Sequence, residues 1–384
     1  MFRRLRPRIH ALSRRVFDLA ELSLEETGSA AALCRFLRSE GFAVRRGAGG
    51  LPTAFVARRC GRGGDRPRIA FLAEYDALPG VGHACGHNLI GAAACGAAAV
   101  AGRLLDGRPG TILVIGTPAE ETIGGKVALL RRGVFAGIDA ALMFHPSTEN
   151  RVRTTSLACH SLEVVFAGRE SHAVASPEKG INALTALLRL FALVEALRPA
   201  LPREIRMPGI VVEGGHRANI VPARAVGRFS LRAGSLRSLR EVERAFRAAA
   251  RAAAASVGAR VTLRSIDLPY AEMRTNQVMA AVFKEELRAL GRTTVDTPRK
   301  GMGSLDMGNL SQVVPSIHPY VAAAPRSAPL HSPAFARRAG GREGRAALDA
   351  ATRALAATAL RLVEEPALLT RARRELRRPR RDFS

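Results

Sequence analysis

Three short apolar runs constrain the fold most: residues 67–73 (PRIAFLA), 111–116 (TILVIG) and 139–144 (DAALMF). Each is too short for a helix and lacks the polar alternation of a half-wet strand, so each reads as a strand buried on both faces. The segments between them, Ala-rich 88–104 and 124–133, have helical spacing. Strand and helix in alternation predict an α/β sheet, because parallel neighbours need a helical crossover. Upstream, 5–42 reads as helical, 49–52 as a turn and 53–58 as a short strand.

The pattern changes near residue 155. Strand-like runs at 161–167, 209–213, 225–232 and 260–267 alternate with helical spacing at 177–197 and 236–257. That order, βαββαβ, predicts a small ferredoxin-like α+β domain inserted into the first. Helix at 276–290, a Gly-rich loop at 301–308, a strand near 316–321 and a helix at 342–363 then return to α/β texture. The expected division is a catalytic domain in two parts (1–154 and 267–370), an inserted domain (155–266) and a basic tail (371–384).

A chain of 384 residues with 47% apolar content can bury two cores. No apolar run of membrane-spanning length occurs free of charge. The basic start lacks the apolar stretch and cleavage site of a secretory signal. Five irregularly spaced cysteines suit a reducing cytoplasm better than a disulfide framework. The net charge of +26 raises the question of nucleic acid, but only four of the 59 basic residues are Lys. An Arg bias spread along the chain points to base composition of the coding sequence rather than to phosphate contacts. The concentrated exception is 371–381, read as a solvated tail with an anionic partner as the rival. With 5% aromatics and no Trp, a stacking platform for single strands is poorly supplied.

Sites in open α/β sheets gather at the carboxyl ends of the strands. Here the first buried strand leads to Glu74, Asp76, Cys85 and His87, the second to Glu120 and Glu121, and the third to His145; His331 follows near the C-terminus. A thiolate and imidazole at Cys85-Gly86-His87 suit zinc, and imidazole with carboxylate suits manganese, cobalt or nickel. Taken singly, each signal has a plain reading: a buried Cys beside a capping His, a solvated acidic turn, a satisfied core histidine. Three strand ends all carrying ligand types favour a metal-hydrolase site, with one carboxylate ligating and its neighbour serving as base.

Residues 73–90 (AEYDALPGVGHACGHNLI) resemble the metal-binding stretch of the metallopeptidases and amidohydrolases that include aminoacylase, hippurate hydrolase and auxin-conjugate hydrolases. With 116–121 (GTPAEE), 168–184 around Ser171-His172-Ala173, 218–222 (ANIVP) and 303–309 (GSLDMGN), the resemblance runs from about residue 8 to 365. It is greatest to the branch of p-aminobenzoyl-glutamate hydrolase and the aminoacylase-like dipeptidases. The resemblance implies a mixed-sheet catalytic domain with an inserted lid through which two copies dimerise. It implies two divalent ions, zinc or manganese before cobalt or nickel, on Cys85, His87, Glu121, His145 and His331. It implies Glu120 as general base, His172 as oxyanion donor and Asp76 orienting a ligating His. Asn219 and Arg232 would hold the substrate carbonyl or carboxylate.

Other positions stay open. His83 is a rival ligand. Asn88, where many relatives carry Asp, is not assigned as one. Gly303 and Ser304, with 301–302, either offer backbone N–H groups to a carboxylate or form an ordinary Gly-rich connection. The expected reaction is hydrolysis of the amide bond in an N-acyl amino acid, p-aminobenzoyl-glutamate or a dipeptide, by water whose pKa the metals lower from about 16 towards 7. The alternative is a polyanion binder that uses its tail on an inactive hydrolase scaffold.

Overall fold

The computed structural model describes residues 1–295 and 303–378. They form two compact units, one of 1–155 with the described parts of 273–301 and 306–384, the other of Ser156–Glu272 with the described residues of 302–305.

The first unit opens with α1 (Phe2–Leu19), α2 (Thr27–Ser39), β1 (Ala43–Arg46), β2 (Phe55–Cys60), β3 (Arg68–Ala73), α3 (His87–Leu104), β4 (Thr111–Gly116), α4 (Gly125–Arg131), β5 (Ala140–Leu142) and β6 (His145–Ser147). The second unit follows with β7 (Ala158–Ala167), α5 (Ala183–Leu197), β8 (Gly209–Glu213), β9 (Arg224–Ala233), α6 (Leu236–Ala255) and β10 (Arg260–Ser265). The first then resumes with α7 (Gln277–Ala289), α8 (Met307–Ser311), β11 (Ser316–Ile317), β12 (Tyr320–Ala322), α9 (Pro333–Ala339), α10 (Arg342–Glu364) and α11 (Pro366–Arg377).

The main sheet has the order β1-β2-β4-β3-β5-β11. Strands β4, β3, β5 and β11 pair parallel, with β11 at one edge, and β1 and β2 add antiparallel at the other. The parallel part is the α/β sheet expected from the strand pattern, and the mixed sheet is what the resemblance implies. The apolar runs fill both faces of β3, β4 and β5, whose residues are almost all buried. Helix α3 is buried nearly throughout. Its Ala and Gly side chains let it pack against α1, α10 and β3, the small residues permitting close backbone approach.

The second unit is an antiparallel sheet of order β10-β7-β9-β8 with α5 and α6 against it. Leu162, Val164 and Phe166 of β7 face Leu187, Leu190, Phe229 and Phe246 in its core, the product of strict alternation along β7.

Among the places where the structure departs from the expected elements, four have a plain local cause. The helix expected over 5–42 breaks at 20–26, where Ala20 turns left-handed (φ 43°) and Leu22 forms a bridge to Ala77. The helix expected from 177 begins at Ala183, because the Asn182 side chain caps it by accepting from the Thr185 N–H at 2.9 Å. The strand expected over 316–321 is two strands. β11 stays in the main sheet, whereas β12 pairs with β6 in a sheet of its own. Finally, 371–377 is not a free tail. It lies within α11, which packs on α7 through buried Leu368, Leu369 and Ala372. The Glu375 carboxylate accepts from the N–H groups of Gln277 and Val278 at the start of α7. The polyanion reading thereby loses a free segment up to residue 377; residues 379–384 lie outside the described residues. No helix among the described residues is long and apolar enough to cross a membrane.

Candidate metal centre and active site

The carboxyl ends of β3, β4 and β5 deliver a single cluster of donors. Among the described residues, three overlapping groups have ligand atoms within 4.8 Å of one another: Cys85, His87 and His145; Cys85, Glu121 and His331; and His87, Glu120 and Glu121. Cys85 Sγ lies 3.3 Å from His145 Nε2. Glu121 Oε1 lies 3.8 Å from both His87 Nε2 and His331 Nε2. The structure thus brings together all five residues expected as ligands and the expected base. His83 is not in this cluster: it is buried against the Val16 carbonyl (3.0 Å) and stacks on Phe17. Asn88 is engaged through Nδ2 with Ser13.

Local backbone conformation aims these side chains. Gly86 sits at φ +80°, and a Cβ there would stand 2.5 Å from the Pro146 ring. Only glycine lets Cys85 and His87 turn so tightly against the residue following His145. His331 adopts φ +65° and Ala119 φ +57°, both unusual for non-glycine residues. The His331 N–H donates to the Ala84 carbonyl at 2.9 Å, next to Cys85.

The histidines are set as acceptors towards the cluster. His87 Nδ1 is 2.8 Å from Asp76 Oδ1, both side chains wholly buried. His145 Nδ1 is 2.7 Å from the Pro146 carbonyl. With Nδ1–H committed to an oxygen, each ring in its neutral form presents a bare Nε2, the arrangement that a carboxylate or carbonyl imposes on metal-ligating imidazoles. His87 Nε2 and Glu121 Oε1 are buried with no hydrogen-bond partner among the described residues. Burial disfavours charge on His87, yet a thiolate at Cys85 and the carboxylates of Asp76 and Glu74 favour it and raise its pKa above the ordinary value. Burial, with the His318 ring nearby, holds His145 down to about 3. Burial pushes the Cys85 thiol up. His87 Nε2 and Glu121 Oε1 thus converge as unpartnered buried atoms beside the Cys85 sulfur. Thiolate, imidazole and carboxylate together are donors for a borderline divalent cation, so the residues fit the metal centre that the sequence implies.

The remaining expected residues lie on the second unit. His172 and Asn219 are neighbours, with Ile220 bridging to His172 and the Ala173 N–H donating to the Asn219 carbonyl at 2.9 Å. Arg232 donates to Ser304 Oγ at 3.5 Å. The Gly303 carbonyl accepts from the Leu157 N–H at 3.0 Å. Gly301 and Met302, considered with them, lie outside the described residues.

The sequence profile of the peptidase family M20/M25/M40 matches residues 70–360. The chain belongs to this family. It is 36% identical to the Xaa-Arg dipeptidase of Mus musculus over 96% of this chain and 89% of that protein. It is 34% identical to one of the subunits of p-aminobenzoyl-glutamate hydrolase from Escherichia coli, over 62% of this chain and 53% of that one. Its fold matches the crystal structure of a dinuclear metal binding peptidase of the M20 family from Bacillus subtilis, with a TM-score of 0.72 at 22% identity, covering 94% and 99% of the two chains. The resemblance seen in the motifs is borne out, and the chain is a peptidase-family enzyme that hydrolyses amide bonds.

Around this M20/M25/M40 cluster stand groups to which sequence reasoning gave no role. Lys126 is fully buried between Glu74 and Asp306 Oδ1, the latter at 2.6 Å. Its own N–H donates to Asp306 Oδ2 at 2.9 Å. Although burial opposes its charge, the two carboxylates push the Lys126 ammonium above its usual range. One cation thereby ties the end of β3, the start of α4 and the start of α8 together beside the site. A signal was present: Lys126 is one of four lysines in a chain that otherwise uses arginine. His318 is buried with its ring 5.5 Å from that of His145. It lies where the expected 316–321 strand breaks, so strand periodicity concealed it.

Proposed function

We propose that this protein is a two-metal hydrolase of amide bonds in small carboxylate-bearing substrates, with dipeptides foremost. The observation that carries this reading is the set of three interlocked donor groups sharing Cys85, His87 and Glu121. Cys85, His87, Glu121, His145 and His331 would hold the ions, with Asp76 orienting His87. Two divalent cations, zinc or manganese in the first instance, would supply Lewis acidity at the scissile carbonyl and make water acidic enough to ionise near neutral pH.

The protein's own groups do the rest. Glu120 takes the proton of the attacking water as oxygen bonds to the carbonyl carbon, then returns it to the nitrogen as the C–N bond breaks. Burial and the negative charges of Asp306, Glu74 and Glu121 hold its carboxyl well above the ordinary range, which suits a group that must both accept and release a proton. His172 is the proposed oxyanion donor. Its Nδ1 accepts from the N–H groups of Val174 and Ala175 at 3.2 and 3.0 Å, so the ring proton resides on Nε2, free to donate. Asn219, Arg232, Ser304 and Gly303 are proposed to hold the substrate's carbonyl and carboxylate. The dipeptide preference rests on the likeness to Xaa-Arg dipeptidase. N-acyl amino acids and p-aminobenzoyl-glutamate remain in the same chemical class. The test is a panel of these amides, Xaa-Arg dipeptides included, with the protein reconstituted with manganese or zinc. Turnover abolished by chelator is expected, and a protein that binds two ions yet cleaves no member of the panel would refute the substrate class.

A homodimer through the second unit is proposed as well. β8 is an edge strand of its sheet, and its Ile210, Val211 and Val212 are exposed. Open apolar edges are rarely left unpaired. Val211→Arg is expected to convert dimer to monomer in sedimentation, and a wild-type monomer would dismiss the idea.

A further inference from the structure

Residues 20–26 leave the helical path to lie along the site. The Glu21 carbonyl accepts from the Ala77 N–H at 2.8 Å, and Ser23 Oγ donates to Asp76 Oδ2 at 2.9 Å. Glu26, at the end of this segment, is wholly buried, a costly place for a carboxylate. Its Oε1 accepts from the Ala119 N–H at 2.8 Å, and its Oε2 accepts from Thr53 Oγ1 at 2.9 Å. Ala119 is the residue before Glu120, and its backbone is left-handed at φ +57°, a conformation that alanine disfavours and that the surroundings must impose. The Ala119 carbonyl in turn accepts from Gly124 and Gly125 at 3.1 and 3.3 Å. A side chain at Gly125 would collide with the Pro118 carbonyl. The turn bearing Glu120 and Glu121 is therefore closed from one side by glycine N–H groups and held from the other by two carboxylates: Asp76 Oδ2 accepts from the Glu121 N–H at 3.2 Å, and Glu26, nearly a hundred residues upstream, holds the Ala119 N–H.

We propose that Glu26 is a positioning residue. Through the Ala119 N–H it locks the left-handed turn that presents Glu120 and Glu121. The proposal rests on the reading of Glu120 as base. Glu26 reaches the reacting atoms only through backbone, so its loss falls on kcat rather than on KM.

The experiment compares Glu26→Ala, Glu26→Gln, Thr53→Val, each with and without Ala119→Gly, and Glu120→Ala, all in the full chain. The readouts are kcat and KM on a cleaved amide, and Mn²⁺ affinity of the metal-stripped proteins by calorimetry. Misplacing a catalytic group by about 1 Å costs on the order of 100-fold, so Glu26→Ala is expected to lose about that in kcat with KM within about threefold. Glu26→Gln restores most of it, because an amide oxygen accepts the same N–H. Ala119→Gly in the Glu26→Ala background restores at least about tenfold, because glycine takes positive φ without help. Thr53→Val, which only loosens Glu26, gives a smaller kcat loss that Ala119→Gly also repairs, and it serves if Glu26→Ala does not fold. Mn²⁺ affinity falls and recovers in the same order, since Glu121 rides on the same turn. Folded Glu26→Ala or Thr53→Val with wild-type kcat and Mn²⁺ affinity overturns the proposal, as does a loss that Ala119→Gly fails to repair. Retained turnover in Glu120→Ala would instead overturn the base assignment, a distinguishable result.

Discussion

Glu120→Ala is expected to bind its metals and lose turnover by about 10²–10⁴-fold, the usual contribution of a positioned acid–base group. The loss should fall on kcat, because Glu120 would act on the proton in flight and not on the bound substrate. The carboxyl is held above the ordinary range by burial and by the negative charges of Asp306, Glu74 and Glu121, with Lys126 opposing them. A base works only when deprotonated, so activity should decline as the pH falls through the pKa that Glu120 has in the metal-loaded enzyme, and the acid limb of the profile should vanish in the residual activity of the variant. Steady-state kinetics across pH, with metal content measured on the same samples, checks both points. A variant with near-normal kcat would remove Glu120 from the mechanism.

The second large effect is expected at the Asp76–His87 pair. His87→Ala removes a residue shared by two of the three donor groups and should abolish both metal retention and turnover. Asp76→Asn leaves the donors in place but replaces the acceptor that holds His87 Nδ1 at 2.8 Å. Loss of such a partner typically costs about 10–100-fold in metal affinity. Calorimetric titration of the stripped proteins distinguishes the two magnitudes, and equal affinities for Asp76→Asn and wild type would refute the orienting role. The same residue carries a stability signature. Burial opposes ionisation of Asp76, but His87, the Glu121 N–H and Ser23 hold its pKa at about 2, against 3.8 when free. A depressed folded-state pKa adds stability that is complete above the unfolded value and lost as the pH falls towards 2. Metal-free Asp76→Asn should therefore unfold with a weaker acid dependence than the metal-free parent.

Most of the donor cluster is legible in the sequence. Each buried strand is a continuous apolar run followed at once by residues of ligand type, and the edge of a parallel sheet leaves such residues few places to go. Cys85, His87, Glu120, Glu121 and His145 follow from that logic, and His331 from the resemblance alone. Lys126, His318 and Glu26 are not legible, for separate reasons. Lys126 is a charge in the middle of a core, which no local pattern signals until Glu74 and Asp306, 180 residues apart from it in the latter case, are seen on either side. His318 is hidden by an apparent strand that the structure divides at that point. Glu26 sits inside what reads as uninterrupted helix.

The break at 20–26 shows why. Helical periodicity reports which face of a segment is apolar, and it continues through these residues. It does not report that the backbone of Glu21 and Leu22 would find better partners at Ala77, or that a buried carboxylate at 26 would find the N–H of a left-handed residue at 119. The tail is the converse case: charge composition alone suggested solvated chain, whereas Leu368, Leu369 and Ala372 fall on one face and supply a packing surface that residues of α7 complete. What the sequence by itself determined was the α/β architecture with its parallel strands, the inserted βαββαβ segment and the chemical type of the site, because these follow from local period and from donors placed at strand ends. What only the tertiary structure decided was which histidine nitrogens face the donor cluster, which charges lie buried around the base, and what holds the turn beneath it. Those depend on pairings across tens to hundreds of residues, whose energies exist only once the chain has folded.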